Sequence, residues 1–299
     1  MEYDRAAGER ACSRIELGGG RHVALARYGD PDGLPVLALH GAPASHLMFA
    51  PADAPARRLG LSVLAPDREG YGETPADSAP TLASRAEALH RLADGLGLER
   101  FAVLGISGGC PYACALAARM QGRITALALV SPLGPVRDLA GRIDMAFGHR
   151  RFFLDLPRRP RLVRGLARLG AALVARYPHT TAGVFARLIG GADRRVLSTP
   201  EAHALIVPMT RDAFRGGIAG AASDLEVFGR PWGVDLAAIT APSVVWQGTE
   251  DVVVPVAVSL ALAARIPGCR LIRVEGAGHF WVLERVEEVL RELRGLASG

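Results

Sequence analysis

The 299-residue sequence contains no lysine, so arginine supplies all 35 of its basic residues. It also contains no uninterrupted apolar run of about 18 residues, which argues against a membrane-spanning helix. Its first ten residues, MEYDRAAGER, are charged and include no apolar stretch, so we do not expect a secretory signal. These absences predict a cytoplasmic protein that does not enter a membrane.

The sequence has only four cysteines, and their spacing matches neither a metal site nor a redox motif. None of the four cysteines forms a C-x-x-C pair, and no cysteine–histidine cluster has the spacing of a zinc site. Cys110 and Cys114 lie one helical turn apart, which is typical of small buried side chains. We therefore expect reduced thiols, no disulfide and no structural metal.

The overall charge is basic, with a formal net charge of +5 and a pI near 9.4. However, the arginines form no run interleaved with aromatic residues, and no nucleic-acid-binding motif is present. We therefore expect no nucleic-acid partner. A composition of 49% hydrophobic and 22% charged residues also excludes a disordered chain.

Apolar segments of strand length alternate with longer helical patterns, which favours a mostly parallel sheet with helices on both faces. An opening hairpin is predicted over Ser13–Leu17 and His22–Arg27, with three glycines in its turn. The other predicted strands are Val36–Leu39, Ser62–Ala65, Phe101–Ile106, Ile124–Val130, Val244–Gln247 and Arg270–Val274. Helices are predicted near Ser45–Leu59, Thr81–Leu96, Pro111–Met120 and Val282–Leu293.

Residues 134–230, called the inserted segment below, interrupt this alternation with a mostly helical pattern broken by proline and glycine. The segment has 16 arginines against 8 acidic residues, a net charge of +8, whereas the rest of the chain has 19 against 22. The strand–helix pattern resumes at Ala241. We therefore predict a core domain of residues 1–133 and 231–299, and a helical cap, or lid, of residues 134–230.

The segment Gly105-Ile106-Ser107-Gly108-Gly109 matches the G-x-S-x-G pattern of a nucleophile elbow. It follows the β-rich run FAVLGI and precedes a helical pattern, which is the context that this turn requires. A sharp strand-to-helix turn crowds the backbone, so small residues must flank the nucleophile. We predict that Ser107 is a catalytic nucleophile.

A serine hydroxyl needs a base, and His279 is the best placed of the eight histidines. It lies in the segment GAGHF just after the last predicted strand, where ligands collect at the edge of an open α/β sheet. Asp251, just past the preceding strand, is predicted to orient the imidazole and stabilise its protonated form, with Glu250 as the alternative.

An oxyanion hole is predicted from two backbone amides. One belongs to Gly108, the residue after the nucleophile. The other is in the segment His40-Gly41-Ala42-Pro43, called the HGAP loop below, where Ala42 is the natural donor because Pro43 has no N–H. His40 is interpreted as a brace for this loop rather than as a catalytic base.

Taken together, these motifs resemble those of an α/β-hydrolase-fold serine hydrolase with a helical cap. The resemblance covers nearly the whole chain and includes the HGAP loop, Asp67–Gly72, Gly105–Gly109, Asp251 and Gly278-His279. It implies an α/β-hydrolase fold with a cap inserted after the sixth strand, and Asp67–Gly72 as a structural turn near the site. It also implies two-step acyl transfer by a Ser-His-Asp triad, with no metal and no organic cofactor.

This resemblance implies a serine esterase acting on a carboxylic ester, thioester or lactone of a small, largely apolar acyl substrate. A serine nucleophile argues against the epoxide hydrolases and haloalkane dehalogenases of this fold, which use aspartate. The sequences HGAPA and GISGG also depart from the usual motifs of prolyl iminopeptidases. Alternatives that stay open are a carbon–carbon bond hydrolase, an acyltransferase or lyase, and a non-catalytic binding protein.

Candidate pocket residues are those that flank the motifs. They are Leu47, Met48, Tyr71, Pro111, Phe280 and Trp281. The basic inserted segment has two interpretations: it binds an anionic substrate or an acidic acyl-carrier partner, or its arginines form a solvated surface. We favour the solvated surface and expect the run Arg158-Arg159-Pro160-Arg161 to be exposed.

Overall fold

The structure is a computed structural model, and it describes residues 12–299. The prediction that residues 1–10 are not a secretory signal lies outside the described residues. Within residues 12–299, no helix is both long enough and apolar enough to span a membrane.

A single sheet of eight strands runs through the described part of the chain in the order β1-β2-β4-β3-β5-β6-β7-β8. Strand β2 pairs antiparallel with β1 and β4, and all the other pairings are parallel. The strands are β1 Cys12–Glu16, β2 His22–Gly29, β3 Leu34–Leu39, β4 Leu61–Pro66, β5 Phe101–Ile106, β6 Ile124–Val130, β7 Ser243–Gly248 and β8 Arg270–Val274. Every predicted strand is confirmed to within three residues at each end.

Helices pack on both faces of this sheet. The α-helices are α1 Asp53–Arg58, α2 Leu82–Gly95, α3 Cys110–Arg119, α4 Phe147–Arg150, α5 Pro160–Arg176, α6 Pro178–Ile189, α7 Gly191–Leu197, α8 Pro200–Ala213, α9 Ala219–Phe228, α10 Val256–Ala263 and α11 Val282–Ser298. The predicted stretch at 45–59 is divided, because a 3₁₀ helix at His46–Ala52 precedes α1. Helix α10 consists of an apolar run without helical periodicity, VAVSLALA, and was not predicted.

The inner strands are buried on both sides, as expected for parallel strands covered by two helical layers. In β3, Leu37 and Leu39 join the core beneath α2, α3 and α10, whereas Val36 and Ala38 join the core beneath α1 and α11. All six residues of β5 are buried. This packing fixes the ends of the strands, from which the site is built.

Helices α4 to α9 belong to the inserted segment and lie between β6 and β7. Helices α6, α7 and α8 share a third apolar cluster with Leu47 and Met48, which follow β3, and with Phe280, which follows β8. Helix α5 is much less buried, since Val163 is the only buried residue among its 17. The inserted segment therefore contacts the sheet domain mainly at the loops that follow the strands.

Candidate active site

The candidate site lies at the end of β3, where successive strands of the chain are added first to one side of the sheet and then to the other. Strand β3 is hydrogen-bonded to β4 on one side and to β5 on the other, so the loops after β3 and β5 diverge. Open α/β sheets bind ligands in the crevice at such a switch point. Here the loop after β3 is the HGAP loop and the loop after β5 is the predicted elbow.

The backbone at Ser107 has the geometry of a strained turn. Its φ of 52° lies in the left-handed region that residues with a side chain rarely adopt. Glycines make the turn possible, because a Cβ on Gly105 would lie 3.0 Å from Cys110 Cα, and one on Gly109 would overlap the carbonyl oxygen of Leu39. The turn leaves the Ser107 side chain partly accessible at the strand end.

Three side chains predicted from separate motifs form one hydrogen-bonded chain. The Ser107 hydroxyl lies 2.9 Å from His279 Nε2, and His279 Nδ1 lies 2.8 Å from Asp251 Oδ2. A carboxylate partner makes Nδ1 the donor, so Nε2 is left to accept the Ser107 proton. Glu250 is exposed and does not replace Asp251.

The charges and hydrogen bonds around His279 and Asp251 favour an ionised Asp251 carboxylate beside a basic His279 imidazole. Burial alone would raise the pKa of Asp251, but the charge of His279 and hydrogen bonds from His279, Val254 and Gln247 lower it overall. For His279, burial would lower the pKa, but the charge and hydrogen bond of Asp251, together with the charge of Asp193, raise it overall. His279 is therefore a stronger base than an ordinary histidine.

Arg68 holds the HGAP loop through two hydrogen bonds to its backbone carbonyl groups. Its Nε donates to the carbonyl oxygen of His40 at 3.1 Å, and its Nη2 donates to that of Gly41 at 2.9 Å. Because the carbonyl and N–H of a trans peptide unit point in opposite directions, Ala42 N–H points away from Arg68. A Cβ on Gly108 would lie 3.3 Å from Ala42 N, so the two amide-bearing segments adjoin each other beside Ser107.

His40 accepts a hydrogen bond from the backbone N–H of Arg68 through Nε2, at 3.0 Å. Burial, followed by the charge of Arg68, lowers its pKa well below the ordinary value, so the ring stays neutral. This placement agrees with the interpretation of His40 as a brace. The turn at Asp67–Gly72, which contains Arg68, likewise holds the HGAP loop in place without contacting Ser107 or His279 through any of the hydrogen bonds described above.

Asp224, on helix α9 of the inserted segment, is the partner of this buried arginine. Its two oxygens accept from Arg68 at 2.8 and 2.7 Å, and the hydroxyls of Tyr71 and Tyr112 donate to it at 2.7 and 2.5 Å. The guanidinium carbon lies 4.9 Å from the Tyr71 ring centroid and 4.7 Å from that of Tyr112. This network joins the HGAP loop, α3 and the inserted segment.

The structure separates the candidate pocket residues. Met48 contacts Gly41, and the Phe280 ring lies 5.1 Å from the His279 ring, so both border the site. Leu47 is buried in the apolar cluster shared with the inserted segment, and Pro111 is buried in α3.

Two of those candidates have interior roles instead of lining the pocket. Tyr71 is 1% exposed, and its hydroxyl donates to Asp224. Trp281 is 3% exposed, its ring centroid lies 5.6 Å from that of Trp246, and its Nε1 donates to Ser131. Proximity in sequence to a motif misled the prediction, because both side chains turn into the core. Phe228, which was not predicted, would lie 3.0 Å from a Cβ on Gly108 and borders the elbow.

Among residues 12–299, one group has the composition of a metal site: His46, Asp67 and Asp212, whose donor atoms lie within 4.8 Å of one another. His46 Nδ1 lies 3.0 Å from Asp67, and His46 N donates to the same carboxylate at 2.7 Å. Burial would lower the pKa of His46, but Asp67 and Asp212 raise it overall. His46 therefore pairs closely with Asp67 and more distantly, at 3.7 Å, with Asp212, and these contacts connect the 3₁₀ helix after β3 to α8.

Comparison with known proteins agrees with this architecture. The model of the alpha/beta hydrolase fold matches residues 35–286. The chain is 27% identical over 287 residues to a 2-hydroxymuconate semialdehyde hydrolase of Pseudomonas putida, covering 91% of this chain and 92% of that protein. It is 31% identical over 163 residues to a probable proline iminopeptidase of Streptomyces coelicolor, covering 48% of each.

Among solved structures, an esterase from Thermogutta terrifontis has a TM-score of 0.66 and 25% identity, over 96% of this chain and 99% of that chain. The chain belongs to the alpha/beta hydrolase fold family, and it is an enzyme of that class. The fold predicted from the sequence, with its mostly parallel sheet covered on both faces, is therefore confirmed.

Proposed function

We propose that this protein is a serine hydrolase that cleaves a carboxylic ester, thioester or lactone. The observation that carries the proposal is the continuous chain from Ser107 through His279 to Asp251, with links of 2.9 and 2.8 Å. These are the contacts needed for a base to take the serine proton and for a carboxylate to stabilise the resulting imidazolium.

In the first step, Ser107 Oγ attacks the substrate carbonyl while its proton passes to His279 Nε2. The developing oxyanion accepts hydrogen bonds from the backbone N–H groups of Ala42 and Gly108. Loss of one such donor typically costs about 10²–10³ in rate. His279 then gives the proton to the leaving oxygen or sulfur as the carbonyl carbon–heteroatom bond breaks. A water then attacks the acyl-enzyme while its proton passes to His279, and His279 gives this proton to Ser107 Oγ as the acyl–oxygen bond breaks and the acid leaves.

The acyl group that fits this site is small and largely apolar. Met48, Phe228 and Phe280 lie beside the HGAP loop, the elbow and the imidazole respectively. Phe185 of α6 stacks edge-on against Phe280 with ring centroids 5.9 Å apart. We propose that residues 134–230 act as a cap, because α6 and α9 contribute these aromatic groups to the rim of the site.

Carbon–carbon bond hydrolysis is a second candidate. It is favoured by the similarity to the Pseudomonas putida hydrolase, which extends over nine-tenths of both chains. The same serine, histidine and oxyanion donors serve both reactions up to the departure of the leaving group. The leaving group is an alcohol or thiol in one case and a carbon acid in the other.

A fluorophosphonate probe with intact-mass detection tests the proposal. We expect one adduct on the wild-type protein and none on Ser107→Ala or His279→Ala, with unchanged far-UV circular dichroism. Absence of an adduct on folded wild-type protein would contradict the proposal and favour a binding protein. A panel of esters, thioesters, lactones, a ring-cleavage dienone acid and a proline arylamide then distinguishes the substrate classes.

A further inference from the structure

A second carboxylate approaches the catalytic histidine from the inserted segment. Asp193 lies in the first turn of α7, and its side chain contacts the loop that carries His279. Its Oδ2 accepts from His279 N–H and its Oδ1 accepts from Phe280 N–H, each at 2.8 Å. Both oxygens of one carboxylate thus hold two consecutive amides at the imidazole-bearing residue.

This placement is unusual for the segment in which it occurs. The inserted segment has a net charge of +8, and within it Asp193 and Asp224 are the buried charged residues. Asp193 is 1% exposed. Burial of a carboxylate is costly unless it is hydrogen-bonded or paired, and here two amides of the His279 loop supply its hydrogen bonds.

The same contact explains Gly278, which precedes the histidine. A Cβ on Gly278 would overlap the Asp193 carboxylate, with its carboxyl carbon and both oxygens as the nearest atoms. Glycine is therefore needed at this position so that the carboxylate can reach the two amides. The Gly-His pair and the inserted aspartate form one steric unit.

The electrostatic surroundings of His279 contain two carboxylates. Asp251 bonds to the ring through Nδ1 and comes from the loop after β7, whereas Asp193 bonds to the backbone and comes from α7. Ser107, on the other side of the ring, is uncharged. Both negative charges favour the protonated imidazole and raise the pKa of His279, against the effect of burial.

We propose that Asp193 is a positioning residue of the inserted segment, which holds the His279 loop through two backbone amides and strengthens His279 as a base. This inference rests on the proposed function, because it assigns Asp193 a part in the same serine chemistry. It makes catalysis depend on docking of α7 against the loop after β8.

The test is the pH dependence of the second-order rate of fluorophosphonate labelling in wild type and Asp193→Asn. Removal of the charge lowers the pKa of His279, so the acid limb of the profile should move to lower pH, by about half a pH unit or more. The amide keeps only one acceptor for the two N–H groups, so the plateau rate should fall about 10- to 100-fold. Thermal unfolding checks that the variant folds.

Asp212→Asn is the matched control, because Asp212 is a mostly buried acid on α8 that pairs with His46 and Arg215. We expect its acid limb to coincide with that of the wild type. An Asp193→Asn profile with an unmoved acid limb would overturn the inference, whatever its plateau. If wild-type protein is not labelled at all, the proposed function fails instead.

Gly278→Ala tests the same contact from the loop, and it decides the matter if Asp193→Asn does not fold. Its methyl group displaces the carboxylate while the charge is retained. We expect the plateau labelling rate to fall about tenfold or more, with a smaller movement of the acid limb. A labelling rate equal to that of the wild type would overturn the inference.

Discussion

The helices that cover the sheet and the helices of the inserted segment differ in how many of their residues are buried. Eight of the ten residues of α3, beside the elbow, are buried, whereas one of the 17 residues of α5 is buried. Leu162, Leu166, Leu169 and Leu173 of α5 are each more than 40% exposed. Apolar packing therefore positions the strands and the elbow, but it does little to position α5.

Besides the apolar cluster of α6, α7 and α8, two directed polar contacts join the inserted segment to the site. Asp193 holds the His279 loop, and Asp224 holds Arg68 beneath the HGAP loop. Hydrogen bonds to charged groups depend on distance and angle, so they help to specify the positions of α7 and α9 at the site. Two buried carboxylates therefore fix the inserted segment to the site at two separate points.

The largest difference between the two regions is expected when one large apolar residue is replaced in each of them. Phe101→Ala, in fully buried β5, should lower the free energy of unfolding by about 3–5 kcal/mol. Leu169→Ala, on α5, where the residue is 57% exposed, should change the free energy of unfolding by about 0.5 kcal/mol or less. Urea denaturation at constant protein concentration measures both. Equal losses would mean that a partner covers the α5 leucines in solution.

Asp224→Asn tests whether a polar contact anchors the inserted segment. Breaking one side of a buried ion pair leaves the Arg68 guanidinium without its charge partner, so unfolding should become easier by about 3 kcal/mol or more. Activity should fall as well, because Arg68 orients the HGAP loop.

The control lies on the same helix. Glu226 has long contacts of 3.8 and 3.9 Å to Arg164 and Arg230, so Glu226→Gln should cost about 1 kcal/mol or less. Thermal melts and labelling rates compare the two variants. A loss with Glu226→Gln as large as that with Asp224→Asn would show that general charge balance, rather than the buried network, holds α9.

The smallest effect is expected from salt. Arg158, Arg159 and Arg161 are exposed, as predicted. We expect kcat/KM for a neutral ester and for a carrier-bound ester to stay within about twofold between about 0.05 and 0.5 M salt. A steep decrease for the carrier-bound ester alone would establish an acidic carrier as a partner, because steered association is lost as salt screens the charges.

Local sequence patterns predicted the strands and the three residues of the Ser107 chain. The helix predicted at Thr81–Leu96 is α2, and Thr81 is its N-cap, which forms the reciprocal hydrogen bonds of a capping box with Ser84. These features depend on neighbours within a few residues. By contrast, α10 was missed because the run VAVSLALA is apolar on all sides and has no period of 3.6.

The buried side chains that surround the site could not be predicted from the sequence. Nothing near Asp193 in the chain distinguishes it from the seven other acidic residues of the inserted segment. Tyr71 and Trp281 were expected at the pocket because they adjoin motifs, but their side chains pack inward. In both cases the deciding contacts join residues more than 50 positions apart, such as Asp193 with His279 and Tyr71 with Asp224.

Patterns along the sequence were enough to predict the order of strands and helices, the elbow at Ser107, and Asp251 and His279 as the side chains of its hydrogen-bonded chain. Alternating apolar patterns and small flanking residues act locally, so they can be read along the chain. The folded chain alone shows that two acids of a basic segment are buried, one against the His279 loop and one against Arg68. Burial of a carboxylate depends on which donors surround it in space, and those donors come from distant parts of the chain.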